Sequence, residues 1–165
     1  MKKSIKKDIT KSYLNLKFLT LVLVISFILI QIFNHFFGII RIVGPSMYPT
    51  YSNGELHLYS TDTTKIERRN VVIFKNKNQT ENQLYIKRVV AISGDTFACK
   101  GTTYYLNGNL LNEKYINKKI SDVYNFTTYV PQGYVFVCGD NRDKSTDSRS
   151  FGVVNVKDIV GIIKR

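Results

Sequence analysis

A chain of 165 residues with 24 Lys and Arg against 12 Asp and Glu carries a formal net charge of +12. Its two cysteines and two histidines stand apart from one another, which argues against a zinc site or a disulfide-rich scaffold. The basic balance invites a nucleic-acid reading, but no helix-turn-helix, zinc-finger or RNP pattern is present and the lysines are scattered, so attraction to anionic lipid head groups is the simpler use.

Residues 1–17 form a basic head, with Lys2, Lys3, Lys6, Lys7, Lys11 and Lys17 against Asp8 alone. Residues 18–40 then run without a single Asp, Glu, Lys or Arg. At about 1.5 Å per residue such a helix is long enough to cross a hydrocarbon core of about 30 Å. The charge excess before it predicts a cytoplasmic N-terminus, which leaves residues 41–165 on the outer side of the membrane. A cleaved signal peptide is the competing reading, but the apolar run is long for one and no small-x-small site follows it.

From residue 41 onward the chain reads as one small β domain with no further long amphipathic helix. Strands are expected over 55–59, 70–74, 84–92, 102–106, 134–138 and 153–163, which are rich in β-branched and aromatic residues. Turns are marked by Ser93-Gly94-Asp95, Asn107-Gly108 and Pro131-Gln132-Gly133. Residues 113–128, polar with isolated aromatics, read as a long excursion. Cys99 and Cys138 stand in apolar strand contexts and read as small buried residues, with a disulfide between them left open.

Three segments carry chemistry. The first is Gly44-Pro45-Ser46-Met47-Tyr48-Pro49-Thr50, where two prolines restrict φ around a serine. The second is Tyr85-Ile86-Lys87-Arg88-Val89, a lysine in apolar company; burial is what strips a lysine of its proton near neutral pH and makes it a base. The third is Gly139-Asp140-Asn141-Arg142-Asp143-Lys144-Ser145-Thr146-Asp147-Ser148-Arg149, dense in small, polar and charged residues between two apolar runs. His35 and His57 are weaker candidates for a base, since neither lies in such a segment.

Taken in this order behind an apolar segment, the three motifs resemble those of bacterial signal peptidase I, over roughly residues 18–165. The resemblance implies a mostly β fold: an N-terminal transmembrane helix followed by a small, largely antiparallel coiled β domain. It implies a serine peptidase that needs no cofactor or metal and removes signal peptides from exported preproteins, cutting after small residues at −1 and −3. Ser46 matches the nucleophile and Lys87 the general base. Ser145 matches the hydroxyl that orients the base, while Asp147 and Arg149 match a charged pair bracing the loop behind it. Ile42, Met47, Tyr85 and Ile86 would line shallow pockets for the small substrate residues, with core packing as the alternative for each.

Two positions depart from the family pattern. Gly44 stands where some members place a serine that helps hold the oxyanion, so beyond the Ser46 N–H the second donor is unassigned. Asn70 stands where an Asp is usual and reads as a changed loop contact. A related serine-lysine peptidase such as a self-cleaving repressor would need a DNA-binding head instead of the apolar segment. An inactive module that only binds signal peptides would predict a broken motif, whereas Ser46, Lys87, Ser145, Asp147 and Arg149 are all present. Richness in Lys, Asn and Ile with a single anchor suggests a low-GC bacterium with one membrane.

Overall fold

The structure, a computed structural model, describes residues 2–76, 83–116 and 120–163, with side chains from residue 15 onward. The side chains of residues 1–14, which hold all the charges of the basic head except Lys17, therefore lie outside the described residues. The chain divides into a helical unit, Met1–Phe37, and a β unit, Gly38–Arg165.

Helix α1 spans Lys2–Phe36. Its stretch Asn15–Phe36 is 22 residues long, with a mean hydropathy of 2.5 and its apolar side chains exposed, which fits a transmembrane anchor. The expected span ran on to residue 40. Instead the helix stops at Phe36 and Phe37–Arg41 forms strand β1. An apolar run cannot by itself tell helix from strand, and here a tertiary contact decides it. Gly38 lies against the ring of Tyr59, and so does Gly161; a Cβ on either glycine would collide with that ring.

The β unit holds two sheets. Strands β2 (Leu56–Ser60), β3 (Val71–Lys75), β4 (Leu84–Ile92), β9 (Tyr134–Cys138), β10 (Val154–Asn155) and β11 (Ile159–Ile163) join β1 in a seven-stranded sheet of order β1-β2-β11-β3-β4-β9-β10. Strands β5 (Thr96–Gly101), β6 (Thr103–Leu106), β7 (Asn109–Leu110) and β8 (Tyr124–Tyr129) make a four-stranded sheet of order β7-β6-β5-β8. The registers of β2 to β11 are antiparallel. The expected antiparallel β domain is therefore what forms, with three corrections. Strand β5 was not anticipated and β8 falls almost wholly in the stretch read as an excursion; the strand expected over 153–163 is broken by a 3-10 turn at Val156–Asp158 into β10 and β11; and a one-turn helix α2, Ser148–Phe151, follows Asp147.

Strand β3 is buried on both faces, and this makes it the centre of the core. Val72 and Phe74 pack with Val89, Val135 and Val137 in one cluster, while Val71 and Ile73 pack with Ile42, Met47 and Ile163 in another. A third cluster joins the two sheets through Ala91, Phe97, Phe136, Cys99 and Cys138. Both cysteines are free and buried, which closes the question of a disulfide. Burial pushes both thiols up, Cys99 to about 11.

Candidate active site

Strand β4 pairs with β3 along Leu84 to Arg88 and with β9 only from Arg88 onward. Lys87 thus sits just before the point where the strand passes from one neighbour to the other. Its register partner on β3 is Val72, and Tyr85 and Val89 flank it on the same face in the apolar cluster. Only 5% of Lys87 is exposed. Desolvation is the leading cause that lowers its pKa, from an ordinary 10.5 to about 8; Asp147 and Asp140 pull it up and Arg149 pushes it down.

The turn that carries Ser46 lies between β1 and β2. Tyr48 N donates to Pro45 O at 3.1 Å and Tyr51 N to Met47 O at 3.0 Å, so residues 45–51 coil into a compact turn. Gly44 has φ of +86°, a left-handed conformation that L side chains rarely adopt, and its N–H donates to Asn53 Oδ1. Ser46 Oγ comes to rest 2.9 Å from Lys87 Nζ. Forty-one residues separate the two in the chain, and the fold brings them into hydrogen-bond contact.

The third motif packs behind them. Asn141 donates its N–H to the Ser46 carbonyl at 3.0 Å and its Nδ2 to the Pro45 carbonyl at 3.1 Å. Asp147 is fully buried and accepts from Gly139 N at 2.9 Å, from Arg149 Nε at 2.8 Å and from Arg149 Nη2 at 2.8 Å. The fork-shaped pairing of Asp147 with Arg149 is thus present. Arg149 Nη1 also donates to Tyr104 OH and Nη2 to Arg142 O, which spreads the pair's contacts into the second sheet. An anion close to Lys87 favours its charged form and works against a neutral base. In the structure the Asp147 carboxylate is the strongest charge raising the Lys87 pKa, and the neighbouring Arg149 guanidinium works against it.

Ser145 differs from expectation. Its Oγ is buried without a hydrogen-bond partner and lies against Gly139, where any Cβ would strike both it and the Ser46 carbonyl. The Lys87 ammonium is instead bonded to Ser46. The four pocket candidates also separate: Ile42 and Met47 are buried and share a cluster with Ile86, whereas Tyr85 belongs to the opposite face, stacked on Phe74 at 5.8 Å. Asn70 is a loop contact, its Oδ1 accepting from Glu67 N.

Sequence reasoning missed Arg88 and Asp140 as a unit. Arg88 donates from Nε and Nη2 to the Asp140 carboxylate at 2.7 and 2.5 Å, and both residues are almost wholly buried. The signal was available in part, since each adjoins a motif residue, Lys87 and Gly139. A cavity of about 1300 Å³ opens nearby, lined by Thr50, Arg69, Arg88, Lys114 and Tyr115 among others, but not by Ser46 or Lys87. Among the described residues no cluster of His, Cys, Asp and Glu could hold a metal.

A serine in contact with a buried, low-pKa lysine on an antiparallel β scaffold is the arrangement of a hydrolase, and the chain is a peptidase. The family described as signal peptidase, peptidase S26, matches residues 15–165, and the chain belongs to it. It is 38% identical to a signal peptidase I of Bacillus caldolyticus, over 72% of each chain. It is 34% identical to signal peptidase IB of Staphylococcus aureus strain Mu50, over 73% of this chain and 72% of that one. The crystal structure of a signal peptidase I from Enterococcus faecalis V583 superposes with a TM-score of 0.53 at 29% identity, covering 61% of this chain and 98% of that one.

Proposed function

We propose that this protein removes signal peptides from exported preproteins, with Ser46 as nucleophile and Lys87 as general base. The observation that carries this reading is the 2.9 Å contact between Lys87 Nζ and Ser46 Oγ, made by a lysine that is 5% exposed and has a lowered pKa. In its neutral form Lys87 takes the Ser46 proton as Oγ attacks the scissile carbonyl, and returns it to the leaving amine. The Ser46 N–H is one donor for the oxyanion. Asp147 and Arg149 act as a mutually neutralising brace, and Ser145 packs the wall between Gly139 and the turn.

The same geometry favours an extended substrate. From Leu84 to Lys87, strand β4 is paired by β3 and not by β9, which leaves backbone groups for a peptide to add alongside. In an extended peptide the −1 and −3 residues face the same way, so two small side chains meet one wall. Ile86, with the buried Ile42 and Met47 behind it, bounds this region on one face of β4, and Tyr85 bounds it on the other. The preference for small residues is steric.

Residues 1–17 are assigned to the cytoplasm, with the anchor crossing the membrane once and the β unit outside. Anchor and substrate signal sequence then share one bilayer, which raises their effective concentration. The net positive charge suits contact with anionic lipid head groups. The test is incubation of the detergent-solubilised protein with a preprotein bearing a small-x-small site. Ser46→Ala and Lys87→Ala should each abolish the mature product while the protein stays folded, and the double variant should be no worse than either. Turnover by Ser46→Ala near the wild-type rate would remove the nucleophile assignment.

A further inference from the structure

Ser46 and Lys87 sit on separate segments, and no bond along the chain sets the distance between them. What sets it must be found in the contacts of the nucleophile turn. One end of that turn is tied by Asn141 to the Pro45 and Ser46 carbonyls. At the other end Tyr51 is buried in the core with Met47, and next to it Thr50 Oγ1 donates to Asp140 Oδ2 at 2.5 Å. Asp140 is the same carboxylate that receives the Arg88 fork, and Arg88 Nη2 lies 3.4 Å from the Thr50 hydroxyl.

We propose that Thr50 is a positioning residue for the Ser46–Lys87 pair, its hydroxyl coupling the nucleophile turn to the strand that carries the base through the buried Asp140–Arg88 ion pair. The inference rests on the reading of Ser46 and Lys87 as nucleophile and base. The geometry is economical. Arg88 immediately follows Lys87 on β4, Asp140 immediately follows Gly139, whose N–H is held by Asp147, and Thr50 is four residues past Ser46. One carboxylate therefore gathers all three segments of the site. An ionised carboxylate only accepts hydrogen bonds, so with Arg88 supplying the charge the Thr50 hydroxyl supplies its hydrogen, in a charge-assisted and hence short bond. Asp140 is 2% exposed and Arg88 1%, so water does not readily compete for the carboxylate.

The internal bonds of the turn make it move as a body. Buried Met47 and Tyr51 seat the turn in the core, and the bonds from Asn141 and Thr50 fix how it is angled toward β4, so loss of the Thr50 hydroxyl frees it to rock slightly. Rocking changes the separation of Ser46 Oγ from Lys87 Nζ without altering the edge of β4 along which substrate would lie. A misplacement of about 1 Å in reacting groups can cost about 100-fold in rate. Loss of the hydroxyl should accordingly reduce kcat and leave KM nearly unchanged.

The experiment uses the full-length protein in detergent with a small-x-small preprotein. Thr50→Val, which keeps the branched shape and removes the donor, is expected to lower kcat by about 10- to 100-fold, to hold KM within a few-fold and to leave the acid limb of the pH–rate profile in place. Thr50→Ser, which restores the donor, should recover most of the rate. The proposal is overturned if Thr50→Val keeps wild-type kcat, if Thr50→Ser is as impaired as Thr50→Val, or if the acid limb moves, because the residue would then act on the charge of Lys87 and not on its position. Should valine lower the melting temperature below the assay temperature, Thr50→Ala read against Thr50→Ser below both melting temperatures applies the same criteria. Ser46→Ala and Lys87→Ala run alongside: if either turns over substrate, the nucleophile and base assignment falls, and if both are dead while Thr50→Val is fully active, the coupling alone falls.

Discussion

Replacing Lys87 by methionine should stabilise this protein at neutral pH while destroying its activity, and the stabilisation should fade as the pH rises. Methionine matches the length of the lysine stem and carries no charge into the cluster of Val72, Tyr85 and Val89. The folded-state pKa of Lys87 lies at about 8, below its ordinary 10.5. Between these values the unfolded chain holds a proton that the folded chain has lost, so wild-type stability rises with pH through that window. Below about 8 both states are charged and the penalty of burying the ammonium stands in full. At about 1.36 kcal/mol for each pH unit separating the two values, that penalty is about 3 kcal/mol at pH 7 and about 1 kcal/mol at pH 10. The variant's lead over wild type should therefore shrink by about 2 kcal/mol between pH 7 and pH 10. Pairwise comparison removes the constant contributions of packing and of the lost bond to Ser46, so the slope is the informative quantity. Urea unfolding followed by circular dichroism suits a chain without tryptophan. A lead that stays flat, or widens with pH, would refute the claim that Lys87 is held neutral by desolvation.

The same shift sets the pH–rate profile. Because only the neutral amine accepts the Ser46 proton, kcat/KM should rise with pH to a limb near 8, and a limb near the ordinary lysine value would mean the free enzyme does not bury this group. Asp147→Asn should cost about 3–5 kcal/mol, measured by urea unfolding, since it leaves the Arg149 guanidinium buried beside a neutral amide. Gly139→Ala should cut turnover at least about tenfold and lower stability by about 1–3 kcal/mol, its methyl group striking Ser145 and the Ser46 carbonyl; wild-type turnover would show that this wall is not tightly packed. Asp95 is held down to about 2 because, against the cost of burial, the Arg68 fork, Ile92 N–H and Asn107 amide all favour its charged form. Its stabilising contribution is complete above the unfolded value near 3.8 and should be lost as pH falls toward 2, so Asp95→Asn should flatten that part of the acid unfolding curve.

How much of this could be read from the residues follows a physical line. Strands β3, β4 and β9 were legible because Val, Ile and Phe crowd positions buried on one or both faces. Strand β5 was not: Phe97 and Cys99 point inward, but Ala98 and Gly101 dilute the pattern. Strand β8 alternates half-buried and exposed residues with none fully buried, so its apolar signal is weak, and only pairing with β5 fixes it. The helix end at Phe36 depends on Gly38 meeting Tyr59, a contact across 21 residues that local preference does not contain. In the site, Ser46 and Lys87, each marked by its local sequence, are in hydrogen-bond contact. The link from Thr50 through Asp140 to Arg88 spans 90 and 52 residues and had no local trace. Ser145, read as the hydroxyl that orients the base, instead lies against Gly139 with its Oγ unbonded, and Lys87 is bonded to Ser46.

The change of partners along β4 gives Lys87 a second property. On the proposed mechanism, a polypeptide docked in register on the open half of that strand would be positioned in steps of two residues, the repeat of the ladder itself, counted from the residue that would also withdraw the proton. Base and measuring scale are then one continuous piece of backbone, and a register slip of one residue would turn every substrate side chain to the wrong side. Accuracy in choosing the bond would come from the strand and would require no separate recognition element to agree with it.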